Sequence, residues 1–103
     1  MSRSFDDVSN ELSAGWPDDA RRVHDAAAVE FATEIAARRA LGGSVTRARK
    51  QAGLTQVQLA ALASIQQAEI SRIERGHANP TVSTLARIAH ATGSRIDLVP
   101  VSA

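Results

Sequence analysis

Apolar side chains recur along most of this chain at helical spacing, and the runs are broken by glycine, proline and serine. Phe5, Val8 and Leu12 have the spacing of a short amphipathic helix after Ser4, and Gly15 and Pro17 end it. Asp18 or Asp19 suits the start of a second helix, where exposed amides favour acid. Val23, Ala27, Phe31 and Ile35 then repeat every four residues, Leu41 closes the run, and Gly42-Gly43 is a natural stop. That stripe either covers the main core or serves a second protein surface, and the two roles are compatible. Ser44 caps a further helix to Ala52, with Val45 and Ala48 inward and Gly53 as its stop.

The next helix has a sharply defined start. Thr55 is its cap, Gln58 stands at the capping-box position, and Leu54 and Leu59 have staple spacing around the cap. Ala63-Ser64-Ile65 carries a turn into a helix over residues 66–75, with Ile70 and Ile73 toward the core and Gly76 as its end. Gln66 is a poor cap for it, which the charge of Glu69 at the third position partly offsets. Thr81 caps a last helix with Val82, Leu85, Ile88 and Ala89 as its apolar face, and Gly93 stops it. Residues 94–99 alternate, which predicts one short strand. A lone strand needs an edge partner, and the cheapest is the same strand of a second copy, so Ile96, Leu98 and Val99 are candidates for dimerisation. The other reading of this segment is a loosely ordered tail.

Composition limits the core. With 2 Phe, 1 Trp and no Tyr, and with much of the 44% hydrophobic content in alanine, each buried residue removes little area from water. A partner subunit is a natural source of further stability. Absence of cysteine rules out disulfides and thiolate metal sites. No apolar run approaches a membrane span and residues 1–20 lack an apolar signal core, so the expected location is the cytoplasm. The net charge of +1 hides a contrast. Residues 1–34 hold 3 arginines against 8 acids, whereas residues 35–103 hold 9 basic groups against 3 acids. A basic body attracts phosphates, and an acidic arm suits a basic protein or water.

Residues 66–75, wound as a helix, gather Gln67, Ala68, Ser71, Arg72 and Arg75 on one broad face, opposite Ile70, Ile73 and Glu74. A helix fits the major groove of B-DNA, where a glutamine amide pairs with adenine, an arginine with guanine, and an alanine methyl meets a thymine methyl. Gln67, Ala68, Ser71 and Arg72 are therefore the candidate base-reading residues. Gln56, first in the supporting helix, lies among free backbone amides suited to a phosphate. Arg75, His77 and Asn79 follow the reading helix and, with Arg47 and Lys50, are candidates for the DNA backbone. Glu69 either accepts from cytosine or serves only its helix start. Nothing catalytic emerges: His24, His77 and His90 lie apart without an HExxH motif, glycines form no phosphate loop, and Ser71 has no base at helical spacing. No metal or cofactor is expected.

Residues 44–93 resemble the phage-repressor/Cro-type (XRE family) helix-turn-helix fold. The resemblance rests on Ala48-Arg49 before Gly53, Leu54-Thr55-Gln56, Leu59-Ala60, Ile70 through Gly76, Asn79-Pro80-Thr81 and Leu85. It covers about half of the chain and, with the periodicity on either side of it, leads to an all-α expectation: a five-helix repressor-like domain with an N-terminal helical extension and a short C-terminal strand. The implied divisions are an arm at 1–20, an extension helix at 21–42, the DNA-binding domain at 43–93 and a tail at 94–103. By position, Gln67, Ala68 and Arg72 face bases, Gln56 holds a phosphate and braces Gln67, and Arg49 and Glu74 form a buried ion pair. Ser64 stands where the family usually has glycine, and Gln66 where it usually has serine or threonine.

The layout outside the motif resembles HigA-type antitoxins, which bind a RelE/HigB-like ribonuclease toxin and repress their own operon. That resemblance makes Phe5, Asp6, Val8, Glu11, Leu12 and Trp16, with Asp7, candidates for holding a basic toxin; Trp16 instead folds back near Val23 in the other reading. The expected assembly is a homodimer on an inverted-repeat operator of double-stranded DNA. The alternative is a stand-alone dimeric repressor without a toxin.

Overall fold

The structure, a computed structural model, describes residues 17–102. The arm positions Phe5, Asp6, Asp7, Val8, Glu11, Leu12 and Trp16 lie outside the described residues. Four helices make up the described part: α1 (Asp18–Gln51), α2 (Gln56–Ala63), α3 (Gln67–Glu74) and α4 (Val82–Thr92). The chain divides into two compact units between Glu34 and Ile35, and the core and the site belong to the second.

This corrects the expected fold class, five helices closed by a strand. Residues 21–42 and 44–52 were expected as separate helices, yet α1 runs unbroken through Gly42, Gly43 and Ser44. Gly42 is buried because α1 passes close to the end of α3. A Cβ on it would stand 2.5 Å from the Ile73 carbonyl oxygen and 2.6 Å from that of Glu74. A glycine inside a helix costs about 1 kcal/mol relative to alanine, and here the missing side chain admits the neighbouring backbone. Arg38 and Arg39 consequently lie inside the helix.

The expected strand is absent among the described residues. Residues 94–102 have no regular secondary structure, and Ile96, Leu98 and Val99 are all exposed. Alternation predicts a strand, but a strand is defined by its hydrogen-bonded neighbour, and this segment has none among the described residues.

The core is as small as the composition implies. Leu59, Ile70 and Ile73 are fully buried, joined by Val45, Ala60, Ala63, Ala78 and Ile88, with Leu41, Leu54, Ile65 and Ala91 packed around them. Each large side chain among them contributes about 1.5–3 kcal/mol by leaving water. α2 packs against both α3 and α4 and so holds the turn between α2 and α3. Val82, placed on the apolar face of α4 by its spacing, is exposed, while Ile88 on that helix is buried. Val23 and Phe31 of the four-residue repeat in α1 are also more than half exposed.

Candidate nucleic-acid interface

Helix ends set the geometry of α2 and α3. Thr55 caps α2 with both halves of a capping box: its hydroxyl accepts from the Gln58 amide at 3.1 Å, and its own amide donates to Gln58 Oε1 at 2.9 Å. The other end of α2 closes at Ser64, which adopts the left-handed conformation (φ 56°, ψ 47°) that glycine takes without strain. The Ile65 amide then donates to the Ala60 carbonyl at 3.0 Å. Serine in this conformation costs about 1 kcal/mol. Arg87 of α4 adds a hold from outside, donating through Nη1 to the Ser64 carbonyl oxygen at 3.0 Å. No local pattern marks Arg87 for this role, because its partner lies 23 residues away. Gln66, as its chemistry implies, makes no side-chain cap at the start of α3.

A run of polar contacts ties the outer face of α3 to α1. Arg49 grips Glu74 with two parallel hydrogen bonds, Nε to Oε2 at 2.7 Å and Nη2 to Oε1 at 3.0 Å. Its Nη1 donates to the Leu54 carbonyl oxygen at 3.0 Å. Thr46 donates its hydroxyl to Glu74 Oε1 at 3.0 Å. Sequence reasoning missed Thr46; its signal was a position three residues before Arg49 on α1. Gln56 Nε2 also reaches Glu74 Oε1, at 3.2 Å, and Gln56 Oε1 accepts from Gln67 Nε2 at 3.0 Å. The order of these contacts is chemically forced. A carboxylate only accepts, so it draws the Gln56 amino group to itself and turns the Gln56 carbonyl toward Gln67. Gln67 keeps its own carbonyl and one N–H, the acceptor and donor that a bidentate contact to adenine needs.

The Glu74 carboxyl feels opposing influences. Burial pushes it up, while hydrogen bonds from Arg49, Gln56 and Thr46, together with the Arg49 charge, more than offset this and hold it below the usual carboxylate value. Arg49 is correspondingly raised, chiefly by its hydrogen bond to Glu74. The side chains of the pair are 13% and 6% exposed, so the charges meet largely away from water.

The remaining candidates divide into two groups. Gln67, Ala68 and Arg72 are exposed on α3, and Ser71 is half-buried beside them. Arg72 is held on both sides, Nη1 to Glu69 Oε2 and Nη2 to the His77 carbonyl oxygen, each at 3.4 Å. Glu69 makes this ion pair rather than a cap at its helix start. Arg75 lies along its own helix, with Nε donating to the Ser71 carbonyl oxygen at 3.3 Å. His77 and Asn79 are exposed in the loop after α3. Arg47 and Lys50 are exposed on α1, where Arg47 donates to the Ser44 hydroxyl at 3.2 Å.

The helix-turn-helix family profile matches residues 45–99, more than half of the chain. The chain belongs to the helix-turn-helix family. That family is one of DNA-binding regulators, as the repressor-type resemblance implied, and not of enzymes. An uncharacterized HTH-type transcriptional regulator, y4dJ of Sinorhizobium fredii (strain NBRC 101917 / NGR234), is 41% identical over 63 residues, covering 60% of this chain and 82% of that protein. Another such regulator, from Haemophilus influenzae (strain ATCC 51907 / DSM 11121 / KW20 / Rd), is 38% identical over 53 residues, with 52% and 54% covered. The immunity repressor protein of Bacillus phage phi105 is 37% identical over 59 residues, with 57% and 41% covered. The chain thus spans about half or less of the length of the last two relatives. Among the described residues, no helix is long and apolar enough to cross a membrane.

Proposed function

We propose that the chain is a sequence-specific repressor that binds an inverted repeat in duplex DNA as a two-fold dimer, with α3 of each copy in a major groove. The supporting observation is the outward row Gln67, Ala68, Arg72, whose first member is braced through Gln56 to the Glu74–Arg49 pair. A glutamine fixed before contact loses less freedom on binding, and preorganisation of this kind favours affinity. Ala68 leaves room for close approach and a methyl for thymine. Gln56, Arg75, His77, Asn79, Arg47 and Lys50 serve the flanking phosphates, which fix orientation without reading sequence. The exposed Ile96, Leu98 and Val99 of the tail offer apolar surface for the second copy.

The three relatives named above are regulators or a repressor, none of them named as an antitoxin. Toxin neutralisation rests on the resemblance alone, and the stand-alone repressor is the reading adopted. The deciding experiment is Arg72→Ala titrated against a selected duplex and its single-base variants. Arg72→Ala is expected to cost about 1–3 kcal/mol and to relax preference at one base pair per half-site. Full retention of affinity and base preference would remove Arg72 from the reading face.

A further inference from the structure

One acid stands among the residues assigned to DNA. Glu69 lies three residues before Arg72, and its Oε2 accepts from Arg72 Nη1 at 3.4 Å. The other terminal nitrogen, Nη2, donates to the His77 carbonyl oxygen at the same distance. That carbonyl belongs to the helix exit, where the His77 amide closes on the Arg72 carbonyl oxygen at 2.9 Å. The guanidinium is therefore suspended between two acceptors, one on its own helix and one just past its end. With Arg72 55% and Glu69 36% exposed, a pair of this kind adds little to folding. Its consequence lies in where it holds the arginine. A carboxylate facing a polyanion also carries a standing penalty, since it repels the phosphates that the surrounding cations attract.

We propose that Glu69 is a positioning and specificity-determining residue, which aims Arg72 at one base pair and penalises DNA that does not match it. This rests on the reading that α3 enters the major groove with Arg72 toward the bases. A guanidinium has five N–H donors, and two such contacts leave Nε–H and one proton on each terminal nitrogen. Guanine needs two of these, for O6 and N7. An untethered arginine samples many rotamers and can settle on any phosphate within reach. The tethered one is biased toward one orientation before contact. The carboxylate itself accepts from cytosine N4 or adenine N6 and repels the acceptor atoms of guanine and thymine. Glu69 thus lowers binding to unrelated DNA and raises discrimination at the base pair that Arg72 reads.

The test uses the full chain and a duplex selected by the wild type from a random-sequence pool. Its single-base-pair variants and a scrambled duplex complete the set. Wild type, Glu69→Ala, Glu69→Gln, Arg72→Ala and the double alanine variant are titrated against each. Glu69→Ala is expected to bind the scrambled duplex about three- to tenfold tighter, having lost a repelling charge. It should also lose about tenfold discrimination at the base pair that Arg72→Ala identifies. Glu69→Gln keeps an acceptor for Arg72, so it should share the tighter scrambled binding while retaining most of the discrimination. In the double variant, Glu69→Ala should add no further loss at that pair, a coupling that a merely structural role would not produce. An unchanged preference at that base pair in Glu69→Ala, or a loss spread evenly over the site, would overturn the proposal. Should the wild type select no duplex, or Arg72→Ala keep the full base profile, the groove reading of α3 fails and takes this inference with it.

Discussion

At the scale of single residues, Glu74 carries the most consequence for the least exposure. Its carboxylate receives Arg49 through both oxygens, with Thr46 and Gln56 on one of them, and through Gln56 it fixes the amide of Gln67. A paired charge held out of water is poor evidence of high stability, because desolvation offsets attraction. Breaking the pair differs, since the surviving charge stays buried and unmatched. Glu74→Gln should therefore lose about 3 kcal/mol in denaturant unfolding, the low end for such pairs because glutamine can still accept from Arg49 through its carbonyl. An unchanged midpoint would show that water already solvates Arg49. The same contact predicts an acid limb. Glu74 is held below its ordinary value when folded, so its contribution is complete above the unfolded carboxylate value, about 4.3, and disappears as pH falls through the lower folded one. Stability of the wild type should decline below about pH 4, and Glu74→Gln should lack that component of the decline. Parallel urea titrations at several pH values would reveal it, and identical acid limbs in the two proteins would refute the assignment.

At the scale of elements, the two adjacent glycines of α1 make opposite predictions. A methyl on Gly42 meets backbone oxygen of Ile73 and Glu74 well inside contact distance, and neither atom can swing aside. Gly42→Ala should push α1 from the end of α3 and cost about 1–3 kcal/mol. A methyl on Gly43 meets only the far end of Arg47, 3.4 Å away, so Gly43→Ala should be neutral or gain up to about 1 kcal/mol from helix propensity. Equal thermal shifts for the two variants would contradict the close approach. These glycines also show what was legible in the sequence. The α2–turn–α3 unit was readable because its signals are local: the Thr55 box, the staple leucines and the buried Ile70 and Ile73, with the Thr81 cap marking α4 after it. Gly42-Gly43 misled because a pair of glycines ends a helix in isolation, whereas here a neighbouring element selects for the absence of a side chain. The tail misled for the converse reason. Alternation over residues 94–99 describes a chain fit for pairing, and pairing depends on a neighbour that the alternation does not supply. In the candidate site, residue types and faces could be read from spacing. The joining contacts, Thr46 to Glu74, Arg87 to Ser64 and Glu69 to Arg72, depend on distances that spacing only hints at.

At the scale of the whole molecule, charge decides how a DNA-binding chain of this kind should respond to salt. Residues 35–103 carry 9 basic groups against 3 acids, yet residues 1–34 cancel most of that excess, and the net charge is only +1. Long-range attraction governed by net charge alone would then be weak. Phosphate contacts behave differently, since each releases condensed counterions and steepens the fall of log K with log salt by about 0.9. Arg47, Lys50 and Arg75 are the cations proposed for the DNA backbone, and a two-fold dimer doubles them. A slope of about −5 follows if all engage. Lys50→Ala, on an exposed side chain with no part in the core, should flatten that slope by about 2 for the dimer and weaken selected and scrambled duplexes alike. Fluorescence anisotropy across a salt series would separate the outcomes. A slope near −2.5 would mean that one copy engages at a time, and the two-fold arrangement on an inverted repeat would fall. A slope near zero would remove the phosphate assignments altogether, because no count of hydrogen bonds to bases can reproduce counterion release.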